Sequence, residues 1–477
     1  MGHTSRLLIR GGTLVTHETM ASADLWVEGE RVKAIGVDLP APPGAEVIDA
    51  SGLLVLPGIV DAHTHLKLDT GLYQAADSWF EGSRAAAYGG ITTVVDFATQ
   101  FEGQSFEQAL AIRLAEASES VIDYAFHMMV TDVSPGQEEE LSVLPELGIQ
   151  SIKLYTTYRP NYYADDATLV RLLEAAARYG LISLVHCEND ALVTAQTASL
   201  VHAGDTGWAF HGASRPPLAE QEATSRVLLL AAAVGAPVVI AHASTGRTSL
   251  LAAEAHASGQ IAFSETTPQY LLLDETLYEG SEPWRYILQP PLRARVESEA
   301  LWRLVSDGRV DMIVTDHCDY RMSQKVAVDD FTKTPGGLPG TETSLLLMAT
   351  YGVAAGRLKW PDLVRLMSTN PARIYNLWPR KGALMPGSDA DLVLFDPVHE
   401  GILAAADLHM VAGYTPFEGL VTKGRVVSTL RRGAFLVRDG AVVSDDGRRS
   451  ASGRRNGSGS GVFVERAARN PWPRLWD

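Results

Sequence analysis

Short alternating apolar runs broken by glycine open the chain: RLLIRGGTLV, ADLWVEGERV and AEVIDASGLLVLPG, within roughly the first 55 residues. Their period of two, without helical periodicity, predicts β-strands and hairpins. The same texture returns near the other end in DADLVLFDP, FEGLVTKGRVV and GAFLVRDGAVV. Neither part alone could bury much apolar surface, so residues 1–55 and 376–445 are expected to form one small β-sandwich domain built from both chain ends.

Between them the pattern changes. Apolar strand-like runs alternate with alanine- and leucine-rich helical stretches such as SWFEGSRAAAYG, DATLVRLLEAAARYG and AEQEATSRVLLLAAAVG. This is the rhythm of a parallel β/α fold. The predicted strands are VLPGIVDAHTH, ITTVVDFAT, VIDYAFHMMV, GIQSIKLY, LISLVHC, PVVIAHAS, QIAFSETT and VDMIVTDH. Eight such units over residues 56–375 predict an α/β fold of the TIM type, a (β/α)8 barrel whose site lies at the C-terminal strand ends. The remainder, 446–477, begins in DDGRRSASGRRNGSGSG, a flexible linker by composition. It ends in VFVERAARNPWPRLWD, whose aromatics suit a docking tail.

Composition narrows the function. A net charge of −17 over 477 residues argues against a nucleic-acid partner, which needs a basic face. Only two cysteines, Cys187 and Cys318, imply no disulfide framework and fit a reducing compartment. No apolar run has the length of a membrane span, so a cytoplasmic protein without a membrane partner is expected.

Candidate chemistry collects at the strand ends. The first strand finishes in DAHTHL, where His63 and His65 would share one face. Strand four carries Lys153, strand five His186, strand six His242 and strand eight Asp316. Any one of these has a structural explanation, as a core histidine, a snorkelling lysine or a capping aspartate. Together at one barrel mouth, histidine and carboxylate make a donor set for zinc and related divalent ions. His3, His17, His202, His211, His256, His399 and His409 lack the pattern. His127 and His317 are read as structural, and Cys187 and Cys318 as small packing residues turned away by alternation.

The segments DAHTH, GSRAAAYGGITTVVDF, SIKLY, VHCEN, SETTPQYLLLDE, QPPLR, TDHC and NPARIYNLWPRKGALMPGSDADLVLFDP follow one another in this order. The ordered set closely resembles the dihydropyrimidinase/hydantoinase branch of the cyclic amidohydrolases, over nearly the whole chain. The resemblance implies two divalent metal ions per subunit, with zinc expected and manganese or cobalt able to substitute. It places His63, His65 and Asp316 on one ion and His186 and His242 on the other, bridged by Lys153 as an N6-carboxylysine. It further implies a metal-bridging hydroxide that attacks a cyclic ureide, either a 5,6-dihydropyrimidine or a 5-substituted hydantoin. Asp316 would shuttle the proton, Tyr158 would stabilise the oxyanion, and an N-carbamoyl amino acid would be the product. A homotetramer with the C-terminal tail in subunit contacts is implied as well.

Two positions depart from the family's usual Ser and Asn: Gln289 before PPLR, and Gly336 in KTPGGLPG. Both belong to the expected substrate-binding set with Tyr158, and they keep an allantoinase or cyclic-imide hydrolase on the same scaffold as the alternative. A non-catalytic scaffold homologue is disfavoured because every expected ligand is present. Leu72, Tyr73, Phe101, Tyr162 and Tyr163 are candidates for a hydrophobic pocket around the substrate's 5-substituent. Tyr155 is read as strand packing.

Overall fold

The computed structural model describes residues 6–132, 134–443 and 459–466. Eight parallel strands form one sheet in sequential order, with short helices and loops between them. They are β1 (Ile59–Asp61), β2 (Ile91–Thr99), β3 (Asp123–Met129), β4 (Ser151–Tyr155), β5 (Ile182–His186), β6 (Val238–Ile240), β7 (Ala262–Thr266) and β8 (Met312–Ile313). The sheet closes on itself just past the strand ends. There Thr64 bridges His317 in parallel, and the His65 amide donates to the His317 carbonyl at 2.7 Å. Closure of β1 against β8 makes this a TIM-type barrel, as the alternating β/α pattern predicts.

Near-continuous apolar strands follow from burial on both faces. In β2, Val95 and Phe97 join the interior cluster, whereas Val94 and Ala98 pack outward under the helices. The helices begin where their sequences provide caps. Ser78 accepts from the Glu81 amide and Glu81 reaches back to the Ser78 amide, opening the helix Trp79–Tyr88 with a reciprocal capping box. The helix Pro217–Val234 starts on proline and stops at Gly235, whose φ of 68° is the left-handed cap that glycine supplies at low cost.

The chain ends build two further sheets. One has four strands, Arg31–Gly36, Asp24–Glu28, Arg6–Arg10 and Glu46–Asp49. The other has seven, from Ala441–Val442 to Met20–Ser22, and in it Leu54–Pro57 pairs antiparallel with the Leu392–Phe395 stretch. Leu7, Ile9, Val27, Val55, Leu392 and Leu430 share one core between the two sheets, the sandwich expected from the patterning.

Three details differ from the sequence reading. VLPGIVDAHTH is not one strand: Leu54–Pro57 belongs to the sandwich, and the chain enters the barrel at Gly58. A Cβ there would overlap Thr92, so only glycine lets the two sheets meet this closely. Within the returning half, the stretch between Leu403 and Leu420 leaves the sandwich and packs on barrel loops. Arg285 donates to Thr415, and Tyr414 meets Trp284 edge-on. The described part of the tail, 459–466, lies along β3 of its own chain. Val464 enters the cluster at the barrel floor, and Arg466, fully buried, donates to Ser151 at 3.2 Å and to the Phe126 carbonyl. The rest of that tail, and His3, fall outside the described residues.

Candidate metal centre and active site

The expected residues converge at the C-terminal mouth of the barrel, on a cavity of about 370 Å3. Strand alternation delivers some of them. On β4, Ile152 and Leu154 pack outward, so Lys153 points in; on β5, inward Ile182 and Leu184 put His186 on the same face. His242 does not follow the rule. Val239 and Ala241 already belong to the interior cluster, and His242 turns inward through a φ of 34° just beyond β6. Asp316 (φ 49°) and Tyr158 (φ 74°) are likewise held in the left-handed region. That conformation costs a non-glycine residue about 1 kcal/mol or more and persists where surrounding structure imposes it.

Two groups of donors result. His63 and His65 each hold Nε2 3.4 Å from Asp316 Oδ1. All three ligand atoms lie within 4.8 Å of one another, the spacing of a cation site. Beside them, His186 Nδ1 faces His242 Nε2 at 2.9 Å. Between the groups sits Lys153, 1% exposed, its Nζ without a hydrogen-bond partner among the described residues. It lies 5.5 and 5.2 Å from the Phe97 and Tyr155 ring centres, and burial pushes its pKa down to about 8.

Neighbouring carboxylates fix how these imidazoles point. Glu265 bonds His63 Nδ1, which leaves Nε2 facing the site. Glu188 accepts from His186 Nε2 at 2.7 Å, leaving the Nδ1 lone pair toward His242. Burial alone would raise the Glu188 carboxyl; the Arg215 guanidinium at 2.5 Å, then the His186 bond, hold it at about 2 instead. For Glu265 burial outweighs the attraction of the nearby Lys153 ammonium and lifts its pKa to about 8. For His63, His186 and His242 burial is the main cause of a lowered pKa, so all three are neutral and available as donors.

The site fits a pair of cations on these observations. Among the described residues, His63 Nε2, His242 Nδ1, Lys153 Nζ and Glu265 Oε2 are buried polar atoms without hydrogen-bond partners. Such orphans are costly unless something shared satisfies them. Two other acidic clusters do not fit a cation. Asp123, Asp389 and Asp391 surround the Lys381 ammonium at 2.5 to 2.9 Å. In Asp77–His317–Asp319, His317 Nδ1 accepts from the Gly340 amide, so Nε2 carries the hydrogen and faces the two carboxylates.

Tyr158 and Tyr155 both line the cavity, their ring centres 5.8 Å apart. Tyr155 is therefore a wall residue as well as a strand residue. Leu72, Tyr73 and Tyr162 line the same cavity; Phe101 is half exposed elsewhere, and Tyr163 lines a separate polar cleft with Arg159. Gln289 and Gly336 face the cavity together. Cys318 lines it too: β8 ends at Ile313, so alternation no longer governs where its side chain points. Cys187 is buried and absent from that lining, as expected. His127, between Ser151 Oγ at 2.7 Å and the Ala62 carbonyl at 2.9 Å, is structural. Glu188, Arg215 and Glu265 were not singled out from sequence. The available signal was their position: Glu188 two residues past His186, and Glu265 near the end of the seventh predicted strand, one of three to which no ligand was assigned.

Comparison with known proteins agrees with this geometry. Residues 54–436 match the amidohydrolase family. A D-phenylhydantoinase of Escherichia coli O1:K1 / APEC is 39% identical over 448 residues, covering 93% of this chain and 97% of that protein. The crystal structure of dihydropyrimidinase from Brevibacillus agri NCHU1002 superposes with a TM-score of 0.92 at 37% identity, covering 97% of this chain and 99% of that one. D-hydantoinase from Bacillus sp. AR9 gives the same TM-score at 38% identity, with the same coverage. The chain belongs to the amidohydrolase family, in its dihydropyrimidinase/hydantoinase branch.

Proposed function

We propose that this protein is a cyclic amide hydrolase that opens a cyclic ureide, a 5,6-dihydropyrimidine or a 5-substituted hydantoin, to an N-carbamoyl amino acid. The observation that carries this reading is the convergence of His63, His65, His186, His242 and Asp316 around the unpartnered, buried Nζ of Lys153. Lys153 as a carbamate would replace a cation by two anionic oxygens between the two donor groups, which is what a pair of dications requires. Two divalent ions held there would supply Lewis acidity and an ionised water near neutral pH. Zinc is the ion this donor set favours, and manganese or cobalt could substitute.

The chain's own groups divide the remaining work. Asp316 would take the attacking water's proton and return it to the leaving ring nitrogen, which departs poorly as an anion; its Oδ1 lying 3.4 Å from two imidazoles supports that role. Burial raises the Tyr158 pKa, so its phenol keeps the proton it donates to the developing oxyanion. Arg215, 5.3 Å over the Tyr158 ring and bonded to Glu188, locks that wall in place. Leu72, Tyr73 and Tyr162 give the cavity an apolar side suited to a hydrophobic 5-substituent.

The reading extends to a cytoplasmic homotetramer without nucleic-acid or membrane partners; among the described residues no helix is long and apolar enough to cross a membrane. The deciding experiment compares dihydrouracil, hydantoin, 5-phenylhydantoin, allantoin and succinimide, with ring opening read by ultraviolet absorbance and metal content measured on the same preparations. Lys153→Ala should lose both bound ions and ring opening. Full occupancy and full turnover in that variant would refute the arrangement.

A further inference from the structure

The floor of the barrel holds a charged group that takes no direct part in the reaction. Residues 459–466 run alongside the entry to β3: the Gly461 amide donates to Ser120 at 2.9 Å, Tyr124 to Val462 at 3.1 Å, and Val464 back to Tyr124 at 2.7 Å. This ladder ends by placing Arg466 inside the barrel, 1% exposed. Its guanidinium donates to the Ser151 hydroxyl at 3.2 Å and to the Tyr375 and Phe126 carbonyls. Among the described residues it pairs with no carboxylate, and burial pushes its pKa down to about 9, so at neutral pH it is a cation without a counter-ion. Burying such a group is costly. Val464 beside it shows that an apolar side chain could seal the floor without that cost.

Ser151 is where this cation meets the site. Its oxygen accepts from Arg466 and lies 2.7 Å from His127 Nδ1, and His127 Nε2 lies 2.9 Å from the Ala62 carbonyl. A carbonyl only accepts, so Nε2 carries the ring hydrogen and Nδ1 accepts from Ser151. The hydrogen bonds therefore run one way, from Arg466 through Ser151 and His127 to Ala62. Both strands they touch carry metal donors. Ser151 stands two residues before Lys153 on the same face of β4, and Ala62 is bonded to His63. The His127 ring also packs 5.0 Å from Phe97, whose own ring stacks 4.5 Å from His65 and lies 4.9 Å from His63.

We propose that Arg466 is a positioning residue for the metal centre: its guanidinium ties β3, β4 and Tyr375 together at the barrel floor and, through Ser151 and His127, sets the main chain that carries His63 and Lys153. This rests on the metal-centre reading above. A cation donating to the Ser151 oxygen polarises the hydroxyl and strengthens the bond it gives His127. Without the guanidinium that bond weakens, the His127 ring is free to shift, and the Ala62 carbonyl and Phe97 lose the support that aligns His63 and His65. Arg466 thus acts on metal binding through other residues, touching none of the donors itself.

The test uses the full-length chain and the variants R466M, S151A, R466M/S151A and V464A. Zinc affinity is read by chelator competition, and the His127 Nδ1 signal by nitrogen NMR of the metal-free, histidine-labelled protein. R466M should weaken zinc binding about tenfold, the low end of the range for groups that orient ligands from behind, and should move Nδ1 toward the frequency of an unbonded ring nitrogen. S151A leaves the tail docked and should match both effects, and the double variant should be no worse than R466M alone. V464A trims the same tail without touching the guanidinium; it should melt at lower temperature yet keep wild-type zinc affinity. Wild-type affinity in R466M or S151A, losses that multiply in the double variant, or a V464A loss equal to that of R466M would overturn the proposal while leaving the metal centre intact. Should R466M fold poorly, S151A decides the outcome. A wild-type chain that holds no divalent ion overturns the metal-centre reading and this inference with it.

Discussion

Glu188 gives the sharpest test of how the site is held. Its carboxylate is fully buried and accepts from His186 and Arg215 at 2.7 and 2.5 Å. Burial alone would raise its pKa, but Arg215 and then His186 hold it at about 2 against an ordinary 4.5. A depression of that size corresponds to about 3 kcal/mol favouring the ionised form. Replacing Glu188 with Gln keeps the shape and removes the charge. Arg215 then loses its counter-ion in a dry site. The amide can also turn its NH2 toward His186 Nε2, which moves the ring hydrogen to Nδ1, where the lone pair facing His242 had been. The metal-free Glu188→Gln variant should therefore be less stable by about 3 kcal/mol at neutral pH in urea unfolding, with metal affinity lowered about 10–100-fold in chelator competition. The sign with pH is fixed. A depressed carboxyl pKa gives stability fully present above about 4.5 and lost as pH falls through about 2, so the wild-type advantage should shrink over that interval. Equal urea midpoints at pH 7 together with wild-type metal affinity would show that Glu188 neither orients His186 nor balances Arg215.

Two further outcomes follow from groups away from the metal donors. Burial lowers the Lys325 pKa to about 7 from 10.5, so between those values the unfolded chain holds a proton the folded chain lacks, and stability rises with pH. Wild type should gain on Lys325→Met as pH climbs from 7 toward 10, by up to about 4 kcal/mol, read as diverging melting temperatures; parallel curves would count against a neutral amine between the Ile287 and Gly337 carbonyls. Truncation before Gly461 removes Val464 from the barrel floor and the bonds of Arg466, and should cost at least about 2 kcal/mol in urea unfolding. An unchanged urea midpoint would mean that segment contributes nothing to its own barrel, whatever sedimentation shows for the assembly.

The architecture was legible because it rests on local pattern. Eight apolar runs spaced by helical segments leave few options but a parallel barrel, and the alternating runs at both ends had no other surface on which to bury their apolar faces. Lys153 and His186 were legible for the same reason: alternation within a strand fixes the face a residue points to. The pattern stops informing where strands stop. His242 and Asp316 reach the site through left-handed backbone beyond β6 and β8, and Cys318 lines the cavity because no strand geometry remains to turn it away.

The linear sequence determined the fold class and marked the candidate donors, since periodicity and residue chemistry are properties of single segments. Only the folded chain decided which groups meet. Glu188 acquires its charge from Arg215, and His63 its orientation from Glu265. Each of these is a short-range interaction between segments far apart in sequence. Hydrogen bonds and steric contacts act over a few ångströms, so they come into being only once the barrel closes.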